Sequence, residues 1–237
     1  MLLQLRTRAL VLAAVALAAA PLVAGQQASQ GKQEGAAKPA AASAAVQQTV
    51  SLPVTGLTKE ETSKVQTALT ALQHKMWCCQ DCKHIQDEKG TCTSCKKELV
   101  AETLPVLSKV TADVQQATLT FVLHEGMRIQ LSEVQRTLGT GQVKVDPAKL
   151  VLAKDSVLYV QGPPSEEAAK KLEQALKASK LFERVEIQHK ADSRDYHVQT
   201  VAAAKAPTHA EVTKAVEGVG DGFKLTDVGW FAPKPVG

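Results

Sequence analysis

Two cysteine pairs, Cys79-Gln-Asp-Cys82 and Cys92-Thr-Ser-Cys95, lie nine residues apart in the chain. In each CxxC a tight turn aims two sulfurs at one point while backbone N–H groups stabilise the thiolate charge. Two such turns complete a tetrahedral four-sulfur set for Zn(II). Cys79, Cys82, Cys92 and Cys95 are therefore the expected metal ligands, with Zn(II) the favoured ion and other soft or borderline metals compatible. The fifth cysteine, Cys78, and His84, two residues beyond Cys82, are auxiliary candidates. The plainer reading of His84 is a solvated loop residue, and the same holds for His74, one helical turn before Cys78. His124, His189, His197 and His209 have no ligand spacing. Gly90, just ahead of the second pair, suits a positive φ where the loop folds back.

Disulfides are the competing use of these sulfurs if the chain is exported, but five cysteines would leave one thiol over. A redox centre is a third use, yet such centres place a single CxxC at a helix N-terminus, whereas these pairs flank a polar loop. No GxSxG, no HExxH and no phosphate-cradling glycine loop occurs. The pairs Glu60-Glu61 and Glu166-Glu167 open helices, where acidic side chains favour the macrodipole. The expected protein is non-catalytic.

The elements that must carry this segment repeat. Val50, Leu52 and Val54 alternate as in a half-buried strand. Thr58-Lys-Glu-Glu61 is a capping box, and Val65, Ala68, Leu69, Leu72 and Met76 follow at helical spacing. Beyond the cysteines, Val110, Ala112 and Val114, then Ala117, Leu119, Phe121 and Leu123, predict a hairpin. A short helix over 131–138 stops at Gly139-Thr-Gly141. Val143 and Val145 then form a strand that the run 150–152 would extend. The same order returns: a strand over 156–162, a helix opened by Ser165, a hairpin from ERVEIQH and DYHVQTVA, a helix opened by the Thr208-His-Ala-Glu211 box, and a strand over 223–231. The expected class is α+β, two tandem ferredoxin-like βαββαβ units spanning 49–153 and 154–237. Residues 77–100 are an insertion in the first, docked by Trp77, Ile85, Leu99 and Val100.

The chain of 237 residues begins with Arg6 and Arg8 ahead of an apolar run from Ala9 to Ala20 and the small residues Ala24 and Gly25. Residues 1–25 are expected to be a cleaved secretory signal, which places the protein in the periplasm or outside the cell with no stable membrane span after cleavage. Residues 26–48, rich in Ala and Gln, bury too little apolar surface to offset ordering entropy and are expected to be a disordered linker. There are 28 basic and 24 acidic residues; without Arg6 and Arg8 the balance is 26 to 24. That near-neutrality, with 3% aromatics, speaks against nucleic acid as a partner.

Two families are resembled. LPVTGLTKEET and YVQGPPSEEA, each with its following helix, resemble the strand, glycine and first helix of the heavy-metal-associated domain of copper chaperones and metal-pumping ATPases. That family carries V-x-V-x-G-M-T-C-x-x-C, whose thiolates bind soft metal ions. Counted from Gly162, the two cysteine positions hold Ser165 and Ala168. Counted from Gly56, they hold Lys59 and Thr62, or Thr58 and Glu61 with a slip of one. Neither copy retains those ligands. The insertion resembles the heavy-metal-binding zinc ribbon attached to metal-efflux proteins: Trp77, Cys79, Ile85, Gly90, Cys92, Cys95 and Leu99-Val100 match its pattern. Cys82 stands where that module has histidine, and Lys96-Lys97 replaces Gly-Met, which removes a thioether. The resemblance implies metal handling in the cell envelope. The alternative is an interaction module for another envelope protein, in which metal or disulfides only hold the surface together.

Overall fold

In the computed structural model, residues 47–139, 141–190 and 192–232 are described, and all belong to one compact unit. The signal and nearly all of the linker expected from the sequence lie outside them.

The first half contributes β1 (Thr49–Thr55), α1 (Lys59–Thr70), β5 (Leu107–Asp113), β6 (Thr118–Leu123), α2 (Leu131–Leu138) and β8 (Lys144–Val145). Its antiparallel sheet has the order β5-β6-β1-β8. The second half repeats the series with β9 (Asp155–Gln161), α3 (Glu166–Ala178), β10 (Phe182–His189), β11 (Asp195–Ala202), α4 (His209–Glu217) and β12 (Lys224–Phe231). Its sheet has the order β10-β11-β9-β12, and β7 (Arg128–Gln130), from the first half, extends it beyond β12. The class is α+β, with three antiparallel sheets and four helices among the described residues.

Alternation drives this arrangement. Val50, Leu52 and Val54 on β1, and Leu158 and Val160 on β9, face inward, where Leu69 of α1, Val134 of α2, Leu172 and Leu176 of α3, and Val212 and Val216 of α4 cover them. The buried residues of both halves form one cluster, joined by the edge-to-face contact of Phe121 with Trp230 (centroids 6.3 Å apart). Gln48, which falls in the expected linker, is only 7% exposed and donates through Nε2 to the Asp155 carbonyl (2.6 Å).

Three local expectations change. α1 ends at Thr70, and Gln73–Cys78 is a strand, β2, which pairs with β4 (Val100–Pro105). Met76 is buried on that strand rather than on a helix, because cross-strand pairing outweighs its helical spacing from Leu69 and Leu72. The inserted sheet, ordered β3-β2-β4 with β3 at Ile85–Gln86, therefore runs from Gln73 to Pro105 and is wider than 77–100. β8 stops at Val145, and of 150–152 only Val151 makes a bridge, to Thr208. Leu150 and Leu152 instead turn into the core.

Candidate metal centre

The inserted sheet brings both CxxC turns to its tip. Each turn has the same backbone frame. Lys83 N–H donates to the Cys79 carbonyl (3.0 Å) and Cys79 N–H to the His84 carbonyl (2.8 Å); Lys96 N–H donates to the Cys92 carbonyl (2.9 Å) and Cys92 N–H to the Lys97 carbonyl (2.7 Å). The residue after each second cysteine adopts positive φ, 57° at Lys83 and 62° at Lys96. That left-handed residue lets the chain reverse beneath its own sulfurs. Gly90 is not in this conformation; its carbonyl accepts from Leu99 N–H (3.1 Å). Sequence reasoning missed the two lysines because lysine carries no turn signal, although their repeated place after CxxC does.

Four sulfurs converge. Cys79, Cys82, Cys92 and Cys95 lie within 4.8 Å of one another, and none is in a disulfide. Cys79 Sγ is 3.3 Å from Cys95 Sγ, while Cys82 Sγ is 3.4 Å from Cys92 Sγ and 3.7 Å from Cys95 Sγ. A tetrahedral zinc site with Zn–S near 2.3 Å has sulfur–sulfur edges of about 3.8 Å. The donor set fits a single divalent ion of that size.

The environment is two-sided. Cys79 (1% exposed) and Cys92 (0%) are packed with Leu99 and Trp77, in a cluster separate from the main core. Cys82 and Cys95 are exposed. Trp77 in turn lies beneath two cations, Lys75 Nζ 5.7 Å and Lys89 Nζ 5.9 Å from the ring centroid. Lys97 and Asp81 form an ion pair (2.9 Å) between the two turns.

Backbone N–H groups and neighbouring sulfurs set the thiol acidities. Cys92 is drawn down to about 6, first by the Cys95 N–H and, against the cost of burial, by the Cys82 sulfur. Cys79 is lowered, first by the Cys82 N–H and then by the Cys95 sulfur. At Cys82 the His84 N–H favours the thiolate, but the Cys92 and Cys79 sulfurs outweigh it and push the group up to about 12. Cys95 is raised in the same way: the Lys97 N–H lowers it, and the Cys79 sulfur together with desolvation prevails.

The auxiliary candidates stand apart. Cys78 is buried in the main core, and its thiol is raised by burial and then by the Glu102 charge. His84 Nε2 is 3.1 Å from Thr93 Oγ1, which bridges the two turns without joining the sulfur group. His74 sits on β2, not on a helix, and meets Glu133 of α2 (2.6 Å), while Arg128 of β7 pairs with Asp87. These pairs tie the insertion to the body. Of the expected docking groups, Ile85 packs on the main core and Val100 is 50% exposed; Met76 and Cys78 take its place.

Of the turn positions set against cysteines of the resembled domain, Thr58 and Ser165 are helix caps. Thr58 Oγ1 accepts from Glu61 N–H (3.3 Å), and Ser165 Oγ accepts from Ala168 N–H (3.1 Å). Glu61 does not complete a box at Thr58 but pairs with Lys64 (3.0 Å), whereas the Thr208 box is complete. Among the described residues no helix is long and apolar enough to cross a membrane. Comparisons with protein-family models, with curated proteins and with solved structures find no match to this chain.

Proposed function

We propose that this is an exported, non-catalytic metal-binding protein that holds one Zn(II) in a four-cysteine ribbon and acts in metal handling in the cell envelope. The observation that carries the reading is the convergence of Cys79, Cys82, Cys92 and Cys95 on two turns with the same backbone frame. The strand orders of the two halves support a pair of ferredoxin-like units related to the heavy-metal-associated domain, in which caps at Thr58 and Ser165 replace the family's thiolates. The ribbon is then the place where this chain keeps its metal.

Thiol acidity supports a binding role over a redox one. A thiol-exchange centre needs an accessible, acidic cysteine. Here the thiols drawn down, Cys79 and Cys92, are buried, and the exposed Cys82 is pushed up to about 12.

Elemental analysis of untagged protein, with thiol counting by mass spectrometry, tests the reading. One zinc per chain and five alkylatable thiols are expected. Two disulfides and no bound metal would overturn the reading in favour of a disulfide-closed interaction module or a thiol-redox protein. Sequencing the N-terminus of protein from the cell envelope tests export, with a mature chain starting at Gln26 as the expected result and an intact Met1 terminus in the cytosol as the contrary one.

A further inference from the structure

Each sheet has two edge strands, and an edge strand presents unpaired N–H and C=O groups to any other strand that meets it. Most edges here are blunted. β3 and β8 are two residues long and β7 is three. β4 carries Pro105. On β5 the ladder is broken between Ser108 and Thr111, where Lys109 has φ 46° and Gln66 Nε2 donates to the Val110 carbonyl (3.4 Å). β10 is the exception. It is eight residues long, holds no Pro or Lys, and after one irregularity at Phe182–Arg184 pairs without interruption with β11 from Arg184 to His189. Among the described residues no strand lies on its other side.

Charge on β10 selects what can pair there. In an antiparallel pair of β10 with the β10 of a second copy, the register that sets Val185 opposite Val185 also sets each Arg184 opposite the other copy's Glu186, on one face. Slid by two residues one way, Glu186 would face Glu186; slid the other way, Arg184 would face Arg184. A slip of one residue would set the buried Val185 against an exposed charge. Arg184 and Glu186 are exposed and 2.8 Å apart within one chain. Two copies therefore complete an alternating row of four charges.

We infer that the protein is a homodimer joined edge to edge through β10, on a twofold axis at Val185. The two five-stranded sheets then become one continuous sheet, and the contact is self-complementary as twofold symmetry requires. The inference goes beyond the metal reading and does not depend on it. It gives the second half, which contributes no sulfur to the tip, a role of its own: it joins two copies, each with one four-sulfur group.

Sedimentation equilibrium of the purified full chain, with a reductant present to exclude intermolecular disulfides, tests this and is expected to show a dimer. R184E and E186R each place like charges opposite one another at two points, and each is expected to weaken the dimer by about 10-fold. The R184E/E186R double variant restores the row with its signs exchanged, and its dissociation constant is expected to return to within about 3-fold of the parent's. Both positions are exposed, so the circular dichroism of all three variants should match the parent's. Amides of Arg184–His189 that do not pair with β11 should exchange more slowly as protein concentration rises. A monomer, or a dimer indifferent to both single variants, would overturn the inference. So would a double variant that fails to recover, since these charges would then not set the register. Protection of the same amides that is independent of concentration would put a segment of the same chain on the edge and overturn the second copy as its occupant.

Discussion

Cys78 and Cys79 are consecutive in the chain, yet their side chains enter different hydrophobic clusters: Cys78 joins the main core, and Cys79 packs with Cys92 and Leu99 at the four-sulfur tip. Successive residues at the end of a strand point to opposite faces, so the adjacent pair links the body to the ribbon without sharing a role. Cys78→Ala is expected to leave one metal per chain and to lower stability by about 1 kcal/mol through the small cavity it creates. Metal analysis and urea unfolding of the variant check this, and loss of the metal would contradict it.

Because the ribbon's cluster is separate, its folding should depend on metal while the body's does not. Zinc binding in such peptides is worth about 10–16 kcal/mol at neutral pH, far more than the burial of Leu99 and a half-buried Trp77 can supply. Cys92→Ser, or excess chelator, is expected to abolish hydrogen-exchange protection on the β2–β4 pairing near the tip, around Trp77–Ala101. Protection in β9, β11 and β12 should persist. Simultaneous loss in both regions would show that the insertion and the body unfold as one.

Metal affinity should fall with acid in two stages. The metal binds thiolates, so every proton held by the metal-free site must leave on binding. Cys82, pushed up to about 12, holds its proton throughout the neutral range, and affinity therefore rises with pH there. Cys92, at about 6, is already a thiolate above that pH and begins to compete for a proton below it. The slope of log affinity against pH is thus expected to steepen below about pH 6. Zinc competition titrations between pH 5 and 8 test this, and a flat profile would count against thiolate ligation.

The two glycines at the strand-to-helix turns are needed for different reasons. Gly56 has φ +74°, and a Cβ there would land on the Gln142 carbonyl; at Gly162, a Cβ would meet the Phe223 ring instead. Gly162→Ala is expected to cost about 1–3 kcal/mol, the usual range for overpacking. Gly56→Ala should cost more, since backbone strain adds to the clash and the carbonyl belongs to the main chain. Thermal or urea unfolding of the two variants gives the order, and a milder effect at Gly56 would refute it.

Much of this protein is written in short stretches. The convergence of four sulfurs is legible because CxxC is a local device: one turn aims two sulfurs whatever lies around it. Helix starts are legible for the same reason at Thr58, Ser165 and Thr208, where a side-chain oxygen meets a backbone N–H three residues on. The alternation of Val50, Leu52 and Val54 likewise marks the inner face of β1 without reference to any partner strand.

What tertiary structure decided involves groups far apart in the chain. Met76 has helical spacing from Leu69, but pairing of Gln73–Cys78 with Val100–Pro105 makes it a strand residue. His74 has the spacing of a ligand near Cys78, but Glu133 claims it. β7 leaves its own half to extend the second sheet, because only the fold presents the open edge of β12 to it. Exposure of Cys82 and Cys95 beside buried Cys79 and Cys92 was equally invisible, since the four are identical in type and spacing. Which sulfurs can meet follows from turns closed within six residues; which of them face water follows from packing between distant segments, which no local pattern specifies.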